Sequence, residues 1–396
     1  MSVLHALQTR AAPFVALRHD LHRHPELGLQ EFRTSQLLAD QLQSWGYTVT
    51  RGLAITGLVA QLQRGSGSKR LGLRADMDAL PIHEANALAH CSVHAGVMHA
   101  CGHDGHTAML MATAQYIAKE VEFSGTLNLI FQPAEEHPGG AKIMIEEGLF
   151  ERFPCDAIFA AHNMPGVPAG QLVFIEGPAM ASSDDVTITL TGVGGHGAMP
   201  HRAQDPIVAA AAIVITLQTI VSRNVDPQHT AVITVGSLIA GKANNVIPAS
   251  ARLELSVRSL DREVRDLLQE RITTLVTAQA QSLGVQAHID YKRDYPVLVN
   301  TPWETELARQ VGTELLGAER ITRQGRPLTG SEDFAFMLEH CPGSYFMIGN
   351  GTGDGAGEGQ PAHACMVHNP GYDFNDDILP VGAAFWALLT QRYLKD

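Results

Sequence analysis

The sequence has few cysteines, few basic residues for its length and no long uninterrupted hydrophobic run. Its five cysteines are an odd number spread over 396 residues, which excludes a small disulfide-stapled domain and predicts reduced thiols. The 28 Lys and Arg residues are outnumbered by 41 Asp and Glu residues, and a net charge of −13 argues against nucleic acid or an anionic membrane as partner. A small-molecule substrate is therefore expected.

No segment is predicted to enter a membrane. The first thirty residues carry charged side chains among short apolar groups, so they contain no signal-peptide hydrophobic region. The longest apolar run, 207–221, is interrupted by Thr216, Gln218 and Thr219 and is shorter than a membrane span. Together with the reduced thiols, these features predict a cytoplasmic protein.

The order of strand and helix patterns predicts an α/β protein of two domains. The chain is longer than one hydrophobic core normally serves. Up to about residue 180, short β-rich runs alternate with helical patterns, which predicts a largely parallel sheet flanked by helices. Polar residues follow three of these strands, and ligands of such sheets gather beyond the carboxyl ends of the strands. The three polar segments are RADMD, QPAEE and AHN.

A different order, β-α-β-β-α-β, runs through residues 183–294 and makes a complete ferredoxin-like unit. The two junctions, GPAMASSDD and DYPVLVN, carry the Gly, Pro and Ser residues typical of boundaries. We therefore predict an inserted domain at 183–294. The first domain is then discontinuous and consists of residues 1–182 and 295–396.

Five histidines fall within seventeen residues around one cysteine, where the composition would place roughly one histidine. His99, Cys101, His103 and His106 are the candidate metal ligands. Cys101 and His103 alternate with small residues, so both side chains can turn toward one point on a loop before a helix predicted to begin at Thr107. Any one of them alone fits a core or helix-cap role equally well, and the cluster favours a metal. A thiolate with imidazoles favours zinc, manganese, cobalt or nickel.

Three further ligand-type residues and one candidate base come from other segments. Glu135 and Glu136 follow a strand and a proline turn, where adjacent side chains diverge. One carboxylate can bind a metal while its neighbour takes a proton from bound water; the alternative is a solvated acidic pair before the helix predicted over 141–150. His162, after a strand predicted to end at Ala161, and His368 are each weak evidence alone. Their shared position at strand-end loops predicts one site.

The order of nine motifs resembles the metal-dependent aminoacylase, carboxypeptidase and hippurate hydrolase superfamily, and the hippurate hydrolase (N-acyl-L-amino acid amidohydrolase) branch is the most similar. The resemblance covers nearly the whole chain. It implies a di-metal catalytic domain with an inserted lid that forms a homodimer, and two divalent ions per subunit. The motifs are HPELGLQE, GLRADMDALPI, HACGHDGHTAML, FQPAEE, AAHNMPG, GGHGAMPH, NVIPASARL, GSEDF and HNPGYDFND.

The resemblance also implies roles for individual residues. The broader superfamily has a histidine ligand where this sequence has Arg74, and His103 is expected to replace it. The identity of the metals stays open among manganese, zinc, nickel and cobalt. The implied ligands are Cys101 as the bridge, His103 and His162 in one metal site, and Glu136 and His368 in the other.

Other residues are similar to groups that act on the substrate. Glu135 resembles the general base, and Asp76 resembles a residue that orients a ligand. In the lid, His196 is similar to the histidine that reaches the partner subunit's site and steadies the tetrahedral oxyanion. Asn245 and Arg258 resemble groups that hold the substrate carboxylate, a task for which the guanidinium fork is suited. The alternative roles are a turn residue for His196, an amide at a strand end for Asn245 and a surface arginine for Arg258.

These features predict a metal-dependent amidohydrolase that cleaves hippurate-like or N-acetyl amino acids. We expect a homodimer or a dimer of dimers through the lid. One alternative is a metallo-exopeptidase, either a dipeptidase or a carboxypeptidase, with the same metals and a differently shaped pocket. The other is a non-catalytic metal-binding protein, which would have no use for a base beside a ligand.

Overall fold

The computed structural model describes residues 2–353 and 363–395. The chain divides into two compact units, each with its own hydrophobic core. The sequence-based division differs from these units at the boundaries by a few residues and in one segment. The first unit comprises Met1–Gly177, Val299–Arg326 and Phe336–Asp396, and the second comprises Pro178–Leu298 and Pro327–Ala335.

Residues 327–335 were predicted to belong to the first domain, and this is wrong. The backbone N–H of Ala181 donates to the carbonyl oxygens of Leu328 at 3.0 Å and of Gly330 at 2.9 Å. The Arg258 side chain also donates to the hydroxyl of Ser331 at 3.1 Å. These bonds join the segment to residues of the second unit that are far away in the sequence. Local sequence patterns give no information about such distant contacts.

Helices and strands are numbered in chain order. Three short 3₁₀ turns, at Pro200–Arg202, Ala318–Arg320 and Asp376–Ile378, accompany them. The helices are α1 Val3–Gln8, α2 Ala12–Arg23, α3 Phe32–Ser44, α4 His103–Glu120, α5 Gly140–Glu146, α6 Leu149–Arg152, α7 Pro206–Arg223, α8 Arg262–Ser282, α9 Pro302–Leu316, α10 Phe334–Leu338 and α11 Leu379–Tyr393. The strands are β1 Thr48–Leu53, β2 Gly57–Arg64, β3 Arg70–Asp76, β4 Gly125–Gln132, β5 Ala157–Pro165, β6 Leu172–Val173, β7 Gly177–Met180, β8 Ser182–Thr191, β9 Gly195–His196, β10 Ala231–Ala240, β11 Val246–Ile247, β12 Ser250–Ser259, β13 Gln286–Arg293, β14 Leu298–Asn300, β15 Ile321–Thr322 and β16 Gly343–Gly351.

The first unit is built on an eight-stranded sheet in the order β1-β2-β4-β3-β5-β16-β6-β15. Its four central strands, β4, β3, β5 and β16, run parallel, and β1, β2 and β6 join antiparallel neighbours. Strands β4 and β16 are buried along nearly their whole length, as expected for strands covered on both faces. The predicted α/β class is therefore confirmed. The carboxyl ends of the central strands share one edge, where a ligand site is expected.

The second unit has the predicted β-α-β-β-α-β order, formed by β8, α7, β10, β12, α8 and β13. Its four strands pair antiparallel in the order β10-β12-β8-β13, so β10 is an edge strand. Burial alternates along β8 and β12, as in a sheet with one covered face. Apolar side chains of α7 and α8 supply the cover.

Helix α7 is long and apolar enough for a membrane span, although the sequence analysis had predicted no span there. Its 18 residues have a mean hydropathy of 1.7, which is long and apolar enough to cross a membrane by length and composition. Such a helix alone is weak evidence for a span, because the core helix of a globular domain passes the same test. In the second unit α7 buries Ala210, Ile213 and Leu217 in the hydrophobic core and leaves Val208 and Ile215 exposed.

Candidate metal centre

The first turn of α4 and the loop before it carry two of the predicted ligands. The helix begins at His103 and not at Thr107, so His103 lies in the first turn instead of a loop. Gly102 caps this turn with a φ of 93°, and a Cβ there would lie 2.0 Å from Oδ1 of Asn163. Only glycine fits this left-handed position between the two ligands. The acidic side chain of Asp104 favours a helix start at this point.

The other ligand-type residues reach the same edge of the sheet from three elements. His162 lies inside β5 and not after it, because β5 continues to Pro165 by pairing with β16, where Met347 is opposite His162. Glu136 lies in the turn between β4 and α5. His368 has a φ of 66°, a strained value for a residue other than glycine, and its N–H donates to the carbonyl of Ala100 at 2.7 Å.

All five predicted ligands come together around Cys101. Its Sγ lies 3.3 Å from Nε2 of His162, and Nε2 of His368 lies 2.9 Å from Oε1 of Glu136. Two groups of donor atoms, each with all its members within 4.8 Å of one another, share the Cys101 sulfur. We call Cys101, His103 and His162 the buried group, and Cys101, Glu136 and His368 the exposed group.

Hydrogen bonds orient the two imidazoles of the buried group so that one nitrogen of each is directed to the centre. Nδ1 of His103 lies 3.0 Å from the carbonyl oxygen of Asp78 and 3.2 Å from its carboxylate, and Nδ1 of His162 lies 2.7 Å from the carbonyl oxygen of Asn163. Each Nδ1 therefore donates to an oxygen acceptor, which leaves Nε2 as the ring nitrogen that a metal could bind in place of a proton. Within the part of the chain that the structure describes, Nε2 of His103 is buried without a hydrogen-bond partner. A divalent cation fits this donor set.

The charges around Cys101 also favour a cation. Burial raises the pKa of the Cys101 thiol well above its usual value, and the carboxylates of Glu136 and Glu135 raise it further. Burial alone would lower the pKa of His103, but Asp76 and Asp78 outweigh it and raise the pKa to about 10. The surplus of negative charge means that a bound cation would promote thiolate formation.

Asp78 connects the two groups, a role that the sequence analysis missed. Besides contacting Nδ1 of His103, its Oδ2 accepts the backbone N–H of Glu136 at 3.0 Å. The predicted orienting residue, Asp76, instead bonds Nδ1 of His106 at 2.7 Å and accepts from Arg74 at 2.7 Å. Residues two apart in an extended segment point the same way, so the spacing of the two aspartates was the available signal.

The remaining histidines of the dense cluster lie outside the two groups. His106 bonds Asp76 and also lies 2.9 Å from Oδ1 of Asn163, which places it behind the ligands. Burial lowers the pKa of His99 to about 4. His90 contacts Arg18 at 2.9 Å. His106 also forms a further, fully buried group of possible ligand atoms with Asp76 and His103, whereas the two groups that share Cys101 contain only His103 of the five clustered histidines.

The second unit brings two of its three predicted substrate residues together. The backbone of His196 in β9 pairs with that of Val246 in β11, and the N–H of Gly197 donates to the carbonyl of Asn245 at 2.8 Å. Nδ1 of His196 accepts the N–H of Ala198 at 3.0 Å, so the ring proton is on the exposed Nε2. Arg258 lies on β12 in the four-stranded sheet, whereas β9 and β11 form a separate two-stranded sheet.

An α/β sheet with clustered thiol, imidazole and carboxylate donors at its carboxyl edge defines a metal-dependent type of enzyme. Comparison with known families gives the same class. The model of Peptidase family M20/M25/M40 matches residues 72–392. The chain belongs to this family and is a hydrolase that acts on amides.

Relatives and solved structures extend the comparison. Hippurate hydrolase of Campylobacter jejuni is 43% identical over 382 residues, covering 96% of this chain and 97% of its own length. N-acetyl-L-cysteine deacetylase of Bacillus subtilis is 37% identical over 345 residues, covering 87% of this chain and 82% of its own length. The Bacillus subtilis YXEP protein, described as a dinuclear metal-binding peptidase of the M20 family, superposes with a TM-score of 0.83 at 31% identity, covering 98% of this chain and 99% of its own.

Proposed function

We propose that this protein cleaves the amide bond of N-acyl amino acids, either hippurate-like or N-acetyl compounds, with two divalent metal ions. The observation that carries the proposal is the Cys101 sulfur shared by two donor groups. The names of hippurate hydrolase and N-acetyl-L-cysteine deacetylase, both similar over most of the chain, support the substrate class. The donor set of one thiolate, three imidazoles and one carboxylate supports manganese, zinc, nickel or cobalt.

Glu135 is the proposed general base. Its carboxylate lies in one group with donor atoms of His103 and Glu136, all within 4.8 Å, and it is 7% exposed. Divalent cations, when bound, act as Lewis acids that acidify a water and polarise the amide carbonyl. Glu135 accepts a proton from that water while the water oxygen attacks the carbonyl carbon. The same carboxyl then donates the proton to the leaving nitrogen as the C–N bond breaks.

The proposed substrate residues of the second unit rest on the resemblance. His196 presents a donating Nε2, which suits it to stabilise an oxyanion. Asn245 and Arg258 are proposed to bind the substrate carboxylate. The Arg258 guanidinium is oriented by donating from Nη1 to Ser331 at 3.1 Å and to the carbonyl of Thr329 at 3.4 Å, and from Nε to Ser256 at 3.4 Å. Its Nη2 is the nitrogen proposed to donate to the substrate carboxylate.

We also propose that two copies pair through the second unit. Strand β10 is at the edge of its sheet, and Leu238 and Ile239 on it are 45% and 63% exposed. On the neighbouring helix α7, Val208 and Ile215 are 53% and 72% exposed. A two-fold axis beside β10 would pair this edge with its copy and cover the apolar side chains. Multi-angle light scattering should give twice the chain mass, and Ile215→Glu should give a smaller assembly than the control Gln43→Glu, at an exposed residue of α3 in the first unit.

Glu135→Gln tests the proposed chemistry directly. The variant should keep its metal content, measured by elemental analysis, while kcat on N-benzoyl and N-acetyl amino acids falls by about 10²- to 10⁴-fold, the usual contribution of a general base. Glu146→Gln, on the exposed face of α5, is the matched control and should retain wild-type turnover. Turnover retained by Glu135→Gln contradicts the assignment. Faster cleavage of dipeptides than of any N-acyl amino acid would favour the exopeptidase alternative.

A further inference from the structure

A fully buried arginine lies behind the metal centre. Arg18, on α2, is 0% exposed, and its Nε donates to Oδ2 of Asp104 at 2.8 Å while its Nη2 donates to Oδ1 of Asp373. Its Nη1 lies 2.9 Å from Nε2 of His90, and Nδ1 of His22 lies 2.9 Å from the same oxygen of Asp104. We call these five residues the Arg18 cluster.

The two carboxylates of the cluster belong to different ligand-bearing segments. Asp104 directly follows His103 in the first turn of α4, and Asp373 stands five residues after His368. The same two segments meet once more, where the N–H of His368 donates to the carbonyl of Ala100 at 2.7 Å. Through Arg18, helix α2 therefore contacts a ligand-bearing segment of each donor group.

The ionised form of both carboxylates in the cluster is favoured despite their burial. Burial would raise the pKa of Asp104, but Arg18 and His22 outweigh it and hold the pKa well below its usual range. Burial likewise opposes ionisation of Asp373, whose pKa Arg18 and His90 nevertheless lower. Buried ion pairs contribute little net stability because desolvation offsets their attraction. Their hydrogen bonds do fix the relative positions of the segments that carry them.

We infer that Arg18 is a positioning residue of the metal centre, which holds the Cys101–His103 segment and the His368 segment at the spacing that lets both groups share one sulfur. The inference rests on the proposed metal ligands. A planar guanidinium reaches Asp104 through Nε and Asp373 through Nη2 at the same time. The single ammonium of lysine has the same charge and lacks this fork.

Arg18→Lys tests the inference on the full-length protein, stripped with chelator and titrated with Co²⁺. The thiolate-to-cobalt charge-transfer band and the d–d bands report the ligands of the bound ion. We expect Co²⁺ affinity to fall by about 10- to 100-fold, the usual cost of changing an outer contact of a metal site, with altered d–d bands and unchanged far-ultraviolet circular dichroism.

Arg265→Lys is the matched control. Arg265 is a nearly buried arginine of the second unit, and its Nε donates to Asp184 at 2.9 Å. The same substitution there should leave the Co²⁺ titration unchanged. Wild-type affinity and bands in Arg18→Lys would overturn the inference, and so would an equal loss in Arg265→Lys.

Asp373→Asn keeps the inference testable if Arg18→Lys does not fold. This variant retains the pair of Arg18 with Asp104 and removes the charge on the His368 side. We expect the more weakly bound Co²⁺ ion, which we assign to the exposed group, to lose affinity. The more tightly bound ion, assigned to the buried group, should be unchanged. No change in either affinity overturns the inference. A wild-type protein that gives no thiolate-to-cobalt band contradicts the proposed function itself, so the two failures are distinguishable.

Discussion

The two donor groups share Cys101 and otherwise have different surroundings. In the buried group, His103 is 0% exposed, and the Nδ1 of both imidazoles is held by backbone carbonyls. In the exposed group, the side chain of His368 is 51% exposed and that of Glu136 is 15% exposed. His368 also has a left-handed backbone, which must be held by its surroundings.

This contrast predicts which of the two proposed ions would be bound more firmly. Ligands whose orientation is fixed by hydrogen bonds lose little entropy on binding, and a covered ion exchanges slowly with solvent. The buried group should therefore hold its ion tightly. The exposed group should release its ion first, for example to a limiting amount of chelator.

The largest effect should follow loss of the shared ligand. In Cys101→Ser neither group keeps its sulfur, so we expect both metal equivalents to weaken. Activity should fall by more than the roughly 10- to 100-fold that changes in outer contacts cost. Cys155→Ser is the control, because Cys155 is a thiol outside both groups. Wild-type metal content and turnover in Cys101→Ser would show that the groups do not share this residue functionally.

A smaller and selective effect is expected from His368→Ala. The variant should bind one metal equivalent in place of two, as measured by elemental analysis after gel filtration, with a loss of activity below that of Cys101→Ser. His94→Ala, an exposed histidine outside both groups, should behave as wild type. Two tightly bound equivalents in His368→Ala would remove the distinction between the groups.

The smallest effect concerns the turn that carries Glu136. Glu31 is fully buried and accepts the N–H of Ala134 at 2.9 Å and the hydroxyl of Thr56 at 2.5 Å. Burial raises the pKa of Glu31 from 4.5 to about 7. A carboxyl with a raised pKa in the folded state contributes stability that is complete below pH 4.5 and is lost as the pH rises to 7.

Glu31→Gln should remove this pH dependence. The free energy of unfolding is measured by urea with excess chelator present. In the wild type we expect Glu31 to lower it by up to about 3 kcal/mol between pH 4.5 and 8. The variant should have a flatter profile, and Glu120→Gln, an exposed carboxylate at the end of α4, should follow the wild type. An identical slope in wild type and Glu31→Gln would show that Glu31 does not titrate in this range.

The sequence finds the residues that cluster around Cys101 better than it finds the residues that orient them. Cys101 and His103 stand in a short motif rich in histidine, and Glu136 follows the end of a strand, so local patterns find them. Arg18 and Asp373 are 355 positions apart in the sequence and meet only in the fold. No local pattern signals such a contact.

Local patterns also misplaced two element boundaries. The start of α4 was set too late because Gly102 resembles a loop residue, whereas its left-handed backbone caps the helix. The end of β5 was set too early at Ala161, because the polar residues that follow resemble a loop. Pairing with β16 keeps that segment extended through His162. In both cases the tertiary contacts decide the local structure.

The most direct test of the account is X-ray absorption spectroscopy at the metal edge of the wild-type protein loaded with two equivalents, compared with the one-equivalent sample. The account predicts a sulfur neighbour in both samples and a second metal as neighbour only in the two-equivalent sample. A spectrum with nitrogen and oxygen neighbours alone, or one with no metal neighbour at two equivalents, would contradict a thiolate shared between two ions.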